Sequence, residues 1–322
     1  MSRGSSRLEA ASHELKMSKD STGFDDAILH AGADVAGRVQ AKALIAFIDS
    51  VDDLPALREM VKPPTQLLLI ARRPRDEERA AGIDATVLTV PPFKLKRMDQ
   101  IKMATLMAFS HGALSGGDEF VFLTGAAGGR IDTLVGMRVG EEYELFQTVN
   151  QPRLTEHIRR VVFERVLTLM LELAHEGREG KPVGALMVIG DQRDVVKFCQ
   201  EGRINPFRGY TEKERNILDE SIVETVKELA KLDGAFILKG NGVIISAGTM
   251  LRPNIAGEDL PQGLGARHSA AAAITASTRS IALTLSESTG TVRIWRRGRM
   301  VTEIEKGTAA PVRKPRSDEE GD

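Results

Sequence analysis

The sequence predicts an α/β protein in two parts. The first is an N-terminal three-layer α/β domain, the second a C-terminal domain with a mixed β-sheet flanked by helices. Three observations carry this reading. Short apolar runs alternate with helical periodicity through residues 25–140, the pattern of buried strands packed between helices. After residue 232 the chain becomes strand-rich around an Asn-Gly pair at 241–242, a strong short-range hairpin signal. Its 322 residues leave room for two domains of about 150 residues each. Residues 1–24 and 307–322 are polar and are expected to be disordered tails, leaving domains at 25–150 and 151–306.

In the first domain, residues 25–49 place Ile28, Val35, Val39 and Leu44 at helical spacing and predict a helix. "QLLLIA" (66–71) predicts a buried parallel strand, because a strand covered on both faces reads as one continuous apolar run. "ATVLTVP" (85–91), "DEFVFLTG" (118–125) and "IDTLVGMRVG" (131–140) predict further strands, with a helix over 98–114 between the first two. Residues 148–157 form the junction.

The second domain opens with an amphipathic helix over Glu156–His175, whose apolar side carries Val161, Val162, Val166, Leu169 and Leu173. "GALMVIG" (184–190) is a buried strand, 194–200 a short helix, and 202–210 a loop. A helix over 211–232 is expected to start from a Thr211/Glu214 capping box. Two strands flank the Asn-Gly pair within 234–248, "SIALTLSES" (280–288) is another, and 291–304 forms a last hairpin.

Composition excludes several function classes. A formal net charge of −1 carries no footprint of a nucleic-acid binder, so no specific nucleic-acid partner is expected. The basic run "RIWRRGR" (293–299) is open to contact with phosphates, but reads first as a solvated hairpin. One cysteine, Cys199, rules out a disulfide within the chain and reads as a small core residue. No apolar run of about 18 residues could span a membrane, and the N-terminus lacks the apolar middle of a signal peptide. A cytoplasmic protein is expected.

Three constellations could carry chemistry. In "GLGARHSAAAA" (263–273), Gly263 and Gly265 permit close approach of a ligand, and a helix beginning near Ser269 points its free N–H groups at the turn. Arg267 offers a planar fork matched to phosphate oxygens, and His268 a second donor whose pKa a phosphate would raise. The same stretch is open to a plain reading as a capped, Ala-rich core helix. Asp233-Gly234 suits a divalent-metal ligand at a strand edge, and equally a helix-ending turn. "LSESTG" (285–290) sets Ser286, Glu287 and Thr289 where they bind a nucleotide or close a hairpin. "LTGAAGGRIDT" (123–133) lacks the spacing and the Lys-Ser/Thr pair of a P-loop, and His111 reads as a packed histidine.

Taken in order, Asp-Gly-Ala at 233–235, the Arg-His turn at 267–268 and Ser-Glu at 286–287 resemble the diadenylate cyclase (DAC) family, over roughly residues 153–304. The resemblance implies condensation of two ATP into cyclic di-AMP, with Mn²⁺ or Mg²⁺ as cofactor and at least a homodimer. It makes Asp233 the metal ligand, with Gly234 and Ala235 beside the nucleotide. Arg267 and His268, with Gly265 and Ser269, would hold phosphates, and Ser286 and Glu287 would complete the pocket. Met250 or Leu251 would meet the adenine. Where the family commonly reads Thr-Arg-His-Arg, this chain has Ala266 and Ser269, and Ser288 halves an acidic pair. Arg252 or Arg279 would have to restore the lost charge. The alternative is a degenerate nucleotide sensor on the same fold. The changes look like the archaeal-type branch, in which the first domain is similar to the C-terminal domain of pyruvate kinase and serves regulation or assembly.

Overall fold

The computed structural model describes residues 23–127, 129–141, 157–200, 204–252 and 265–309. The 148–156 junction, Gly263 and most of both expected tails lie outside these residues.

The N-terminal half is a five-stranded sheet in the order β3-β2-β1-β5-β6, from β1 (Ala43–Phe47), β2 (Gln66–Ala71), β3 (Thr86–Thr89), β5 (Glu119–Gly125) and β6 (Ile131–Arg138). All neighbours are parallel except β5 and β6. Helices α1 (Phe24–Arg38), α2 (Leu54–Met60) and α3 (Pro74–Ala80) cover one face, and α4 (Arg97–Ser110) the other. Alternation along the strands supplies both faces. Leu44, Ala46, Leu67 and Leu69 join the first cluster, whereas Ala43, Ile45, Phe47, Leu68 and Ile70 join the second.

The single helix expected over 25–49 does not form: it stops at Arg38. Gln40, at φ +53°, ends the helix, and "ALIAF" becomes the central strand β1, buried along its whole length. Helical spacing persisted through 44 only because a fully buried strand is apolar at every position and fits any period.

The C-terminal half is a seven-stranded mixed sheet, β13-β12-β11-β7-β9-β10-β8. Its strands are β7 (Ala185–Ile189), β8 (Cys199–Gln200), β9 (Ala235–Leu238), β10 (Ile244–Leu251), β11 (Ile281–Leu285), β12 (Val292–Arg296) and β13 (Arg299–Ile304). Only β7 and β9 are parallel neighbours. Helix α5 (Arg160–Glu176) packs on one face with its Val162, Val166, Leu169 and Leu173 side. On the other lies α8 (Ala266–Ser277), after the short α6 (Gln192–Val195) and α7 (Val223–Leu229). Ala271 and Ala272 are buried against Leu186, Ala282 and Trp295, so the small side chains bring α8 close to the sheet.

The hairpin at Asn241-Gly242 forms as expected, with Gly242 at φ +97° and Lys239 donating to the Val243 carbonyl at 2.9 Å. The helix expected over 211–232 does not. The Thr211 N–H donates to Glu214 Oε2 at 2.8 Å and the Glu214 N–H to the Thr211 hydroxyl at 3.4 Å, as a capping box requires, but the chain then turns. Asn216 bridges Val243, and Ile217 and Arg215 bond to Gly242 and Ile244, so pairing to β10 displaces the helix until Val223. The 194–200 helix is likewise shortened, because Cys199 and Gln200 pair with Leu251 and Met250 as β8. Thr308–Ala309 (β14), placed by sequence in a tail, pairs with Phe93–Lys94 (β4). Among the described residues no helix is long and apolar enough to cross a membrane.

Candidate active site

One cleft of about 750 Å³ is lined by Asp233, Gly265, Ala266, Arg267, His268, Ser286, Glu287, Ser288, Thr289 and Arg293. Three separate stretches of chain therefore meet at one place. Asp233 comes from the approach to β9, Arg267 and His268 from the first turn of α8, and Ser286 and Glu287 from the turn after β11. Helix α8 begins three residues earlier than its sequence suggested, so the Arg-His pair lies inside the helix, not ahead of it. Gly265 is its N-cap and offers no side-chain oxygen. His268 and Ser269 N–H bond back to the Gly265 carbonyl at 2.9 and 3.1 Å. Among the described residues the N–H groups of Ala266 and Arg267 have no backbone partner, and they lie in the positive field of the helix start, where an anion could bind.

Arg267 stands between two carboxylates, Nη2 being 3.7 Å from Asp233 Oδ1 and Nη1 3.7 Å from Glu287 Oε2. Neither contact closes to a hydrogen bond. Its Nε is buried and has no partner among the described residues. Both Asp233 and Glu287 are exposed; the Gly234 N–H donates to Asp233 Oδ1 at 3.1 Å. Gly234, at φ +107°, carries the chain so tightly past β10 that a Cβ would lie 2.6 Å from the Gly248 carbonyl carbon. The Ser286 hydroxyl accepts from the Thr289 N–H at 3.4 Å, within a turn closed by Gly290 N–H on the Ser286 carbonyl.

His268 is nearly buried, and its ring meets Trp295 edge-on at 6.1 Å. Burial, helped by the positive charges of Arg293 and Arg267, holds the imidazole below its ordinary pKa. In the free cleft this is the reverse of the rise expected from a phosphate. Arg293 belongs to the basic run whose favoured reading was a solvated hairpin; its place on the cleft accords with the weaker alternative, contact with phosphates. Register alone brings it to the cleft, opposite Thr284 on β11 and Glu303 on β13.

Other expected residues lie outside the cleft lining. Ala235 is buried in β9, opposite Thr249. Leu251 packs against the cluster beneath α8, while Met250 stays exposed near the end of β10. Ser269 follows His268 on α8 without reaching the cleft. Neither Arg252 nor Arg279 lines the cleft, so neither stands where the missing guanidinium would be. Burial pushes the Cys199 thiol up to about 11, which suits a core residue and not a nucleophile.

No group of three or more His, Cys, Asp or Glu side chains is placed to cage a metal among the described residues. The donor set still fits a hard divalent cation. Such ions are commonly held by one or two carboxylates together with substrate phosphates and water, and Asp233 is exposed on the cleft.

The family model of the DisA bacterial checkpoint controller nucleotide-binding domain matches residues 172–300. One described as a probable sensor domain, DacZ_P, matches residues 25–147. Among solved structures, DacA from Staphylococcus aureus is 21% identical, covering 44% of this chain and 84% of its own, with TM-score 0.29. A pyruvate kinase from Cryptosporidium parvum is 17% identical, covering 37% and 23%, with TM-score 0.31. A diadenylate cyclase from Methanocaldococcus jannaschii is 38% identical over 55% of this chain and 56% of its own length. Another, from Haloferax volcanii, is 36% identical over 230 residues, 69% of this chain and 81% of that one. Matched over that share of a relative, and carrying the Asp-Gly-Ala, Arg-His and Ser-Glu segments around one cleft, the chain belongs to the diadenylate cyclase family.

Proposed function

We propose that the protein condenses two ATP into cyclic di-AMP, releasing two pyrophosphates, in the cleft between α8 and the turn after β11. The observation that carries this is the meeting of Asp233, Arg267, His268, Ser286 and Glu287 on one cavity large enough for a nucleotide. In each half-reaction the 3′-hydroxyl oxygen of one ATP bonds to the α-phosphorus of the other. The bond to the bridging oxygen of the β-phosphate breaks, pyrophosphate leaves, and the hydroxyl proton passes to solvent. Two such steps close the ring.

Most of the acceleration comes from holding the reacting atoms in line and neutralising charge that builds on the phosphoryl oxygens. Arg267 and the free N–H groups of α8 hold the triphosphate, with His268 donating beside them. The Ser286 turn and Glu287 bound the other wall. Asp233 would hold Mn²⁺ or Mg²⁺, which when bound supplies Lewis-acid polarisation of the phosphate oxygens. Binding of phosphate draws Arg267 from its two long carboxylate contacts and leaves Asp233 to its own role.

The product is two-fold symmetric, and the cleft is open to solvent at both carboxylates. Two cyclase domains facing one another across an isologous dimer would bring each 3′-hydroxyl to the opposite α-phosphorus. The N-terminal half serves regulation or assembly. An ATP-consuming enzyme with a single, half-buried free thiol belongs in the reducing cytoplasm.

The test is mass spectrometry of the products formed by the full chain from ATP and Mn²⁺, beside Asp233→Asn. Cyclic di-AMP from the wild type is expected, with a loss on the order of a hundredfold or more in the variant. ATP bound without product would instead favour a nucleotide sensor. Specific activity that stays constant as the protein is diluted through dissociation would sink the dimer.

A further inference from the structure

Helix α8 brings one guanidinium to the cleft, Arg267, because position 269 is serine. A second arrives from the sheet, since Arg293 on β12 lines the same cleft. We propose that Arg293 is the positioning residue of this site: it fixes His268 as the neutral imidazole with its proton on Nδ1, and sets beside it the guanidinium that α8 lacks. The role in turnover rests on the cyclase reading, whereas the tautomer does not.

The geometry is specific. Arg293 Nη1 lies 3.0 Å from His268 Nε2. A guanidinium only donates and does not lose its proton in proteins, so Nε2 must accept and the ring proton must sit on Nδ1. The Nδ1 edge faces Gly265, where a Cβ would lie 3.9 Å from it. With no side chain at 265, that N–H opens towards the free N–H groups at the start of α8. Trp295 against the ring restrains its orientation.

Arg293 is itself held in place. Its Nε donates to Glu303 Oε2 at 2.9 Å, between residues directly opposite on β12 and β13. Nε is thus anchored on Glu303 and Nη1 on His268, which fixes the plane of the guanidinium at the cleft. The charged groups facing His268 are Arg293 from β12 and Arg267 from its own helix, both disfavouring the imidazolium, in keeping with its lowered pKa. A neutral donor beside two fixed cations binds phosphate without having to be protonated first.

The experiment is ¹⁵N NMR of the histidine rings in the ¹⁵N-histidine-labelled full chain, with kcat and KM for ATP measured in parallel. Wild type, Arg293→Met, Arg293→Lys and Glu303→Gln are compared. The wild type should show His268 with its proton on Nδ1. Arg293→Met should lose that preference and lower kcat on the order of a hundredfold, with a smaller change in KM. Lysine, also a pure donor, should keep the tautomer and restore part of the rate. Glu303→Gln should weaken the preference, with a smaller loss, and serves if the methionine variant does not fold. A wild-type proton on Nε2, or a tautomer and kcat indifferent to Arg293→Met and Glu303→Gln, overturns the proposal. The tautomer is read without turnover, so a wild type that shows it yet makes no cyclic di-AMP overturns the cyclase reading and not the positioning of His268.

Discussion

A side chain at position 184 would collide with the Arg267 guanidinium: a Cβ built there lies 2.7 Å from Nη1, 3.3 Å from Cζ and 3.2 Å from Glu287 Cβ. The nearest obstacle is the far end of a flexible side chain, and the Glu287 Cβ need give only slightly, so Gly184→Ala should still fold. It should nevertheless swing Arg267 away from the place proposed for it on the phosphates and raise KM for ATP roughly ten- to a hundredfold, with a nearly unchanged melting temperature as the control. Buried His268 and half-buried His111 make a second prediction. Burial, with Arg293 and Arg267, lowers the pKa of His268; burial, with Arg160, lowers that of His111 against the opposing pull of Glu164. The unfolded chain then takes up these protons first, as pH falls through about 6.5. Stability is therefore full above that pH and falls towards the folded-state values below it. Thermal melts between pH 7.5 and 5.5 should drop by a few degrees, and His111→Gln should reduce the slope. Asp233, Arg267 and His268 could be singled out because their segments follow one another in a specific order, although none was decisive alone. Arg293 and Gly184 could not be, since their importance arises from strand register and from one guanidinium lying against a bare backbone.

At the scale of elements, the crossing of Gly234 under β10 fixes Asp233 at the rim. The β9–β10 ladder shifts register twice, between Ile244 and Ser246 and between Ser246 and Thr249, and Gly248 sits at φ +67°. A Cβ on Gly234 would meet the Gly248 carbonyl carbon at 2.6 Å and the Thr249 nitrogen at 2.8 Å, backbone that cannot step aside. With φ at +107° besides, Gly234→Ala should cost about 2 kcal/mol or more and should be read by denaturant unfolding. Long periodic helices and the Asn-Gly hairpin were readable from sequence because local chemistry decides them. Thr211–Ile222 was not, because its backbone is claimed by β10 through Arg215 and Ile217. Nor was β1, whose five buried residues carry no alternation to separate strand from helix.

Across the whole molecule, one buried cluster runs from Ile45 and Met107 in the first half to Val166, Leu283 and Ile304 in the second. Polar contacts close its rim. Ser110 donates to Glu164 at 3.1 Å, His111 lies 3.0 Å from the same carboxylate, and Phe93 stacks obliquely on His175 at 5.7 Å. Lys96 pairs with Glu305, whose N–H donates to Asp99 at 3.4 Å. The last of these bonds follow β13, the strand that carries Glu303 and so anchors Arg293. Beyond β13 the chain does not leave the molecule: β14 crosses back and pairs with β4 of the first half. That return stitches the two halves together by means other than the chain joining them. Residues 1–150 and 151–322 expressed as separate polypeptides should therefore find one another and copurify, as two complementary fragments of one fold.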